Sequence, residues 1–167
     1  MRLALTDLFH ARWTDTIHEE WIRSVLKNRP DITREHLEHT RCLMNSYVRD
    51  GLVSGYEELI PALTLPDPDD RHVLAAAICS HADVIVTFNL KHYPEAVLDK
   101  YGIEAQHPDE FLLDLFDLSP HAVLQTIKEQ RQALKKPLRT VEEHLAVLER
   151  QQLAMTVFAL REYADLI

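Results

Sequence analysis

The sequence predicts an α/β fold, with helices packed on a small buried parallel sheet and a helical extension at the C-terminal end. Three observations lead there. The alanine-rich run "VLAAAI" has the composition of a buried helix and passes directly into "DVIVTFN", which is apolar on both faces, as a central parallel strand is. The helical stretch "YPEAVLDKYG" separates that strand from a second short one, "IEAQ", and a helix between two strands marks a parallel crossover. Beyond residue 118, helix-start signals recur and strand signals stop. The expected division is an α/β domain over residues 1–118 and a helical extension over 119–167.

Each element has a local cause. Thr14 is placed to cap a helix whose apolar side carries Ile17, Trp21, Val25 and Leu26, and which Pro30 stops. Thr33 opens a second helix with Leu37, Met44, Tyr47 and Val48 on its stripe and Gly51 at its end. A short strand is expected near Leu52 to Ser54, followed by an irregular stretch to Pro66. Asp70 begins the alanine-rich helix, as an N-terminal carboxylate suits both the free backbone N–H groups and the macrodipole. Gly102 ends the crossover helix, and Pro108 starts "PDEFLLDLF" as another. In the extension, Ser119 with Pro120 and the Thr140/Glu143 capping box start helices at about Pro120 to Lys135 and from Val141. A last helix is expected over Leu153 to Ala164.

Composition excludes some functions. The chain of 167 residues is 46% apolar and 27% charged, ordinary for a globular protein. No apolar run nears the roughly 20 residues of a spanning helix. Asp7 and Arg12 interrupt the start too early for a signal peptide, so a cytoplasmic location is expected. Cys42 and Cys79 lack metal-ligand spacing and read as buried reduced thiols. Residues 1–118 hold 11 Lys/Arg against 21 Asp/Glu, and residues 119–167 hold 7 against 6, giving the net charge of −9. So acidic a body does not bind polyanions by charge alone; contact with nucleic acid would need metal ions or a local basic strip.

The crowding of Asp67, Asp69 and Asp70 exceeds what a helix start needs. Hard divalent cations take oxygen ligands from a few carboxylates and from substrate phosphates. In an open α/β sheet, sites gather at the carboxyl ends of strands, where Asn89 lies. Glu20, beside Trp21 on the first helix, and Asp70 could converge there; equally, Glu20 could be a solvated helix residue and Asp70 a simple cap. His36 and His39 read as a solvated helix face, and Trp13 and Trp21 as core. Lys128, Arg131 and Lys135 form a basic stripe that suits either an RNA or partner contact or the helix dipole, with Lys136 and Arg139 beyond it.

At these residues the chain resembles a known family. "DPDDRHVLAAAICSHADVIVTFN" resembles the second half of a PIN domain, "TDTIHEEWIRSVL" the helix that carries its catalytic glutamate, and "GIEAQHPDEFL" its closing strand and helix. The resemblance covers residues 1 to 115, and the extension resembles the tail of some bacterial VapC-type toxins. It implies a three-layer PIN-like fold and a metal-dependent endoribonuclease of the VapC toxin class, with RNA as substrate, an antitoxin as partner, and a homodimer. It implies Glu20, Asp70 and Asn89 as catalytic residues and Glu20 and Asp70 as ligands of Mg²⁺ or Mn²⁺. Asp67, Asp69, Thr87 and His92 would then surround those ligands. A receiver-like phosphoacceptor domain is a distant third reading, since it too wants an acidic pair after its first strand.

Two departures qualify that expectation. PIN domains begin with a strand ending in Asp, and no such segment precedes the helix-like "MRLALTDLF". The first strand and its Asp are therefore expected to be missing, supplied from upstream or by another polypeptide; Asp7 lies in the wrong element. The alternative is a catalytically inactive remnant that binds an antitoxin or dimerises, with a sheet left open, poorly stable or self-associating. The second departure is "NLKHYP", where the resemblance leads one to expect Asp at His92.

Overall fold

A computed structural model describes residues 2–134 and 139–167 of the chain. The fold is α/β with a two-stranded parallel sheet, and its elements divide between two compact units. One unit is His10–Ile85 with Asn89–Ala105; the other is Met1–Phe9, Val86–Phe88 and Gln106–Ile167.

In the first unit, α1 (Asp15–Asn28) starts where Thr14 accepts the Ile17 N–H, and α2 (Arg34–Tyr47) where Thr33 accepts that of His36. A polar network joins them. The Trp13 indole N–H donates to Asn45 Oδ1 at 2.7 Å, His18 Nε2 meets the same oxygen at 3.0 Å, and the Trp21 indole N–H donates to His18 Nδ1 at 2.9 Å. Because Trp21 can only donate, Nδ1 must accept, and His18 holds its proton on Nε2. His18 is completely buried, and this network satisfies both of its nitrogens.

Helix α2 stops at Tyr47, before Gly51, and the reason for the glycine is elsewhere. A Cβ at Gly51 would lie 2.9 Å from Trp13 Cζ2, so glycine there admits the indole. The strand expected at Leu52 to Ser54 is reduced to one parallel bridge between Trp13 and Leu52. Cys42 is exposed rather than buried, because it faces away from the Leu37 stripe; Cys79 is half-buried.

Helix α3 (Arg71–Cys79) is set up by a 3₁₀ turn over Pro68–Asp70. It buries Leu74, Ala75, Ala76 and Ala77 in a core that also includes Tyr56, Leu63, Leu65, Ile85, Tyr93, Leu98 and Ile103. Strand β1 (Val84–Val86) follows, then α4 (Glu95–Leu98), and a 3₁₀ turn ends at Gly102 in the left-handed region at φ 67. Strand β2 (Glu104–Gln106) pairs with β1: Glu104 donates to the Asp83 carbonyl and Thr87 to that of Gln106, the ascending pattern of parallel strands.

The expectation of a strand buried on both faces is corrected here. Along β1 only Ile85 is buried; Val86 is 44% exposed and Phe88, beyond the strand, 53%.

The second unit is helical. It contains α5 (Pro108–Leu118), α6 (Pro120–Ala133), α7 (Val141–Arg150) and α8 (Ala154–Arg161) around Leu115, Phe116, Val123, Ile127, Leu145, Val157 and Leu160. The helix-like N-terminus is a single 3₁₀ turn, Arg2–Leu5; beyond it, Leu8 and Phe9 pack on this core, with Phe9 edge-on to Phe111 at 5.1 Å. The Thr140/Glu143 capping box is present. Ser119 makes no capping hydrogen bond, its backbone lying at φ −150, ψ 80 with Pro120 at N1. Lys135 and Lys136 lie outside the described residues.

Candidate metal centre

The site grows from the sequence "PDPDD". Asp67 is the residue that caps: its Oδ1 accepts the Asp69 N–H at 3.0 Å, and Pro68 stands at the first position of the 3₁₀ turn. Asp70, expected as the helix cap, makes no capping bond; the turn begins the helix three residues earlier and leaves its carboxylate available. That carboxylate meets His92 instead, with Oδ2 2.6 Å from Nδ1, while Asp67 Oδ2 lies 3.7 Å from the same nitrogen. Donor atoms of Asp67, Asp70 and His92 all lie within 4.8 Å of one another, and all three residues are half-buried.

His92 closes a 3₁₀ turn, Leu90–His92, that begins at Asn89, whose carbonyl accepts the His92 N–H at 2.9 Å. The residue after the strand and the residue in place of the expected Asp therefore share one turn. Next to them, Tyr93 is buried. Its ionisation is pushed far above the ordinary tyrosine value, first by burial, then by the negative charges of Asp70, Glu20 and Asp67. Tyr93 thus remains a neutral donor, and it senses all three carboxylates.

Glu20 approaches by another route. Its Oε1 accepts from His72 Nε2 at 3.0 Å, and His72, on α3 and only 8% exposed, has no partner for Nδ1 among the described residues. Glu20 lies outside the close group of three, but its charge, like those of Asp70 and Asp67, helps raise the Tyr93 ionisation. Among the described residues, the ion-pair partners of Glu20, Asp67 and Asp70 are all histidines, with no Lys or Arg to neutralise them.

The remaining candidates are placed as follows. Asp69 is exposed and contributes its N–H to the Asp67 cap. Thr87 belongs to the other unit, where its N–H donates to the Gln106 carbonyl at 2.9 Å. Lys128 is half-buried on α6. Arg131 is occupied within its unit, donating to the carbonyls of Arg139 at 3.1 Å and Ile167 at 3.3 Å. Sequence reasoning missed His72 and Tyr93. The available signals were a histidine two residues past Asp70 on an otherwise apolar helix, and an aromatic hydroxyl directly after His92.

Chemically, two carboxylates and an imidazole can hold a divalent cation and polarise whatever oxygen it binds. Residues 108–162 match the VapC50 C-terminal domain family. The chain is 54% identical over 68 residues to the protein named "Putative ribonuclease VapC50" of Mycobacterium tuberculosis, a match covering 41% of this chain and 40% of that protein. The matched part is thus about two fifths of that relative's length. No solved structure gives a significant match.

Proposed function

Taking the chain as a relative of the VapC-type ribonucleases that carries a VapC50 C-terminal domain, we propose that it is a metal-dependent endoribonuclease of the toxin class, acting on RNA in the cytoplasm. The observation that carries this reading is the convergence of Asp67, Asp70 and His92 donor atoms within 4.8 Å. The donor set fits a divalent ion such as Mg²⁺ or Mn²⁺, because the carboxylates carry charge that no Lys or Arg compensates among the described residues. Asp67 and Asp70 would hold the ion, with Glu20 beside them. When bound, it would polarise the scissile phosphate and acidify the attacking water.

The chain's own residues do the rest. His72 holds one oxygen of Glu20 and leaves the other for water or substrate. Tyr93 stays neutral beside the carboxylates, and His92 orients Asp70 through Nδ1. Asn89 opens the turn that carries His92. An antitoxin that places Arg or Lys among these carboxylates would displace the metal by charge-assisted hydrogen bonds. The test is RNA cleavage by the purified chain with Mn²⁺ or Mg²⁺. Asp70→Asn should lower the rate by at least about tenfold without loss of fold, since Asp70 caps nothing. Cleavage unchanged in that variant would refute the reading.

A second reading is a non-cleaving module that binds an antitoxin or a second copy of the chain. The exposure of Val86 at the end of β1 and of Phe88 just beyond it favours it. Absence of cleavage in wild type with any divalent ion, together with self-association or antitoxin capture, would select it.

A further inference from the structure

We propose that His92 makes this site selective for divalent ions that bind imidazole well, of the Co²⁺ or Zn²⁺ kind, over Mg²⁺. The inference rests on the reading of Asp70 as a metal ligand. It follows from the position of one nitrogen. His92 Nδ1 faces Asp70 Oδ2 at 2.6 Å and Asp67 Oδ2 at 3.7 Å. Metal–ligand bonds of about 2.0–2.2 Å put neighbouring donor atoms about 3 to 3.5 Å apart, and these two separations bracket that spacing. The three side chains are set by the 3₁₀ turns Pro68–Asp70 and Leu90–His92, so the nitrogen is built into the edge of the site.

The same geometry sets the ions against one another. The Nδ1–H of His92 occupies Asp70 Oδ2, so an ion binding there must replace that hydrogen bond. An ion that gains strongly from a nitrogen ligand replaces it by taking Nδ1 as a donor. Mg²⁺ prefers oxygen and water and gains little from imidazole. For Mg²⁺ the site therefore offers two carboxylates, one of them already engaged by a competing donor. An aspartate at position 92 would reverse this, giving an all-oxygen site of higher charge.

The experiment is titration of the full 167-residue chain with CoCl₂, read by the visible absorption of the bound ion, and with MgCl₂ by competition. Wild type is compared with His92→Asp, His92→Ala and Asp70→Asn. Circular dichroism confirms that each variant is folded. Both His92 variants should bind Co²⁺ at least about tenfold more weakly, with an altered spectrum, and His92→Asp should bind Mg²⁺ more tightly than wild type. A Co²⁺ to Mg²⁺ affinity ratio unchanged in His92→Asp and His92→Ala would overturn the selectivity while leaving the site in place. Co²⁺ binding that survives Asp70→Asn intact would overturn the site itself, and with it the reading on which the selectivity rests.

Discussion

Buried at the start of α5, Asp109 accepts the backbone N–H groups of Met155 and Thr156, both at 2.8 Å, at the beginning of α8. Burial pushes its carboxyl up, but the hydrogen bonds from Thr156 and Met155 and the charge of His107 outweigh that and hold it below the ordinary carboxylate range. A depressed folded value means stability that is present above the unfolded value, about 3.9, and lost as pH falls through the folded one. Asp109→Asn should cost about 1–3 kcal/mol at neutral pH, and the cost should shrink in acid. Urea unfolding between pH 3 and 7 measures it. His144 acts in a higher window. It is buried with neither ring nitrogen partnered among the described residues, and burial, then the charges of Arg139 and Arg131, push it below the ordinary histidine value. Here the unfolded chain takes up the proton first, so stability declines as pH falls below about 6.5. His144→Leu should flatten that upper decline and leave the lower one, due to Asp109, unchanged; identical pH profiles in the two proteins would refute this.

The helices differ in how they begin, and stability should reveal it. Thr140→Ala removes the hydroxyl that accepts the Glu143 N–H, while the backbone N–H of residue 140 still donates to the Glu143 carboxylate, and should cost about 1 kcal/mol. Ser119→Ala removes no capping bond and should stay within about 0.5 kcal/mol. Equal costs would contradict the assigned geometry. From sequence, the two starts look alike, because residue type announces a cap but backbone dihedrals decide whether the hydroxyl reaches. Much else at this scale was legible. The periodicity around Ile17 and Leu37, the run "VLAAAI" and the Pro108 start became α1, α2, α3 and α5. The illegible parts depend on contacts distant in sequence. "DVIVTFN" reads as doubly buried, yet whether Val86 is covered depends on what packs on its face of the sheet, which its own residues do not specify. Among the candidate residues, the place of Asp70 at the start of the alanine-rich helix was legible from its motif. His72 was not, since its partner Glu20 is 52 residues away and nothing local distinguishes a buried histidine with a carboxylate from one without.

At the scale of the whole chain, the net charge of −9 makes cation binding a stability measurement. An ion that binds only the folded protein, at a hundred times its dissociation constant, adds about 2.7 kcal/mol. That is roughly 5–10 °C in melting temperature for a chain this long. Wild type should show the rise with divalent ion, and Asp70→Asn should show much less; equal rises would mean that the ions stabilise by screening alone. The optical readout of such a melt is constrained by the network around His18. The chain has two tryptophans, and both belong to it, Trp13 through Asn45 and Trp21 through the imidazole nitrogen. Intrinsic emission on excitation at the indole band is therefore a signal from one unit, and changes around Val157 and Leu160 in the other are dark to it. Far-ultraviolet dichroism, which weights helices α5 to α8 as well, sees both. If the two curves superimpose on heating, the units melt together; if emission moves at its own temperature, the indole pair has reported the unit that carries the carboxylates, and the difference between the curves belongs to the helical one.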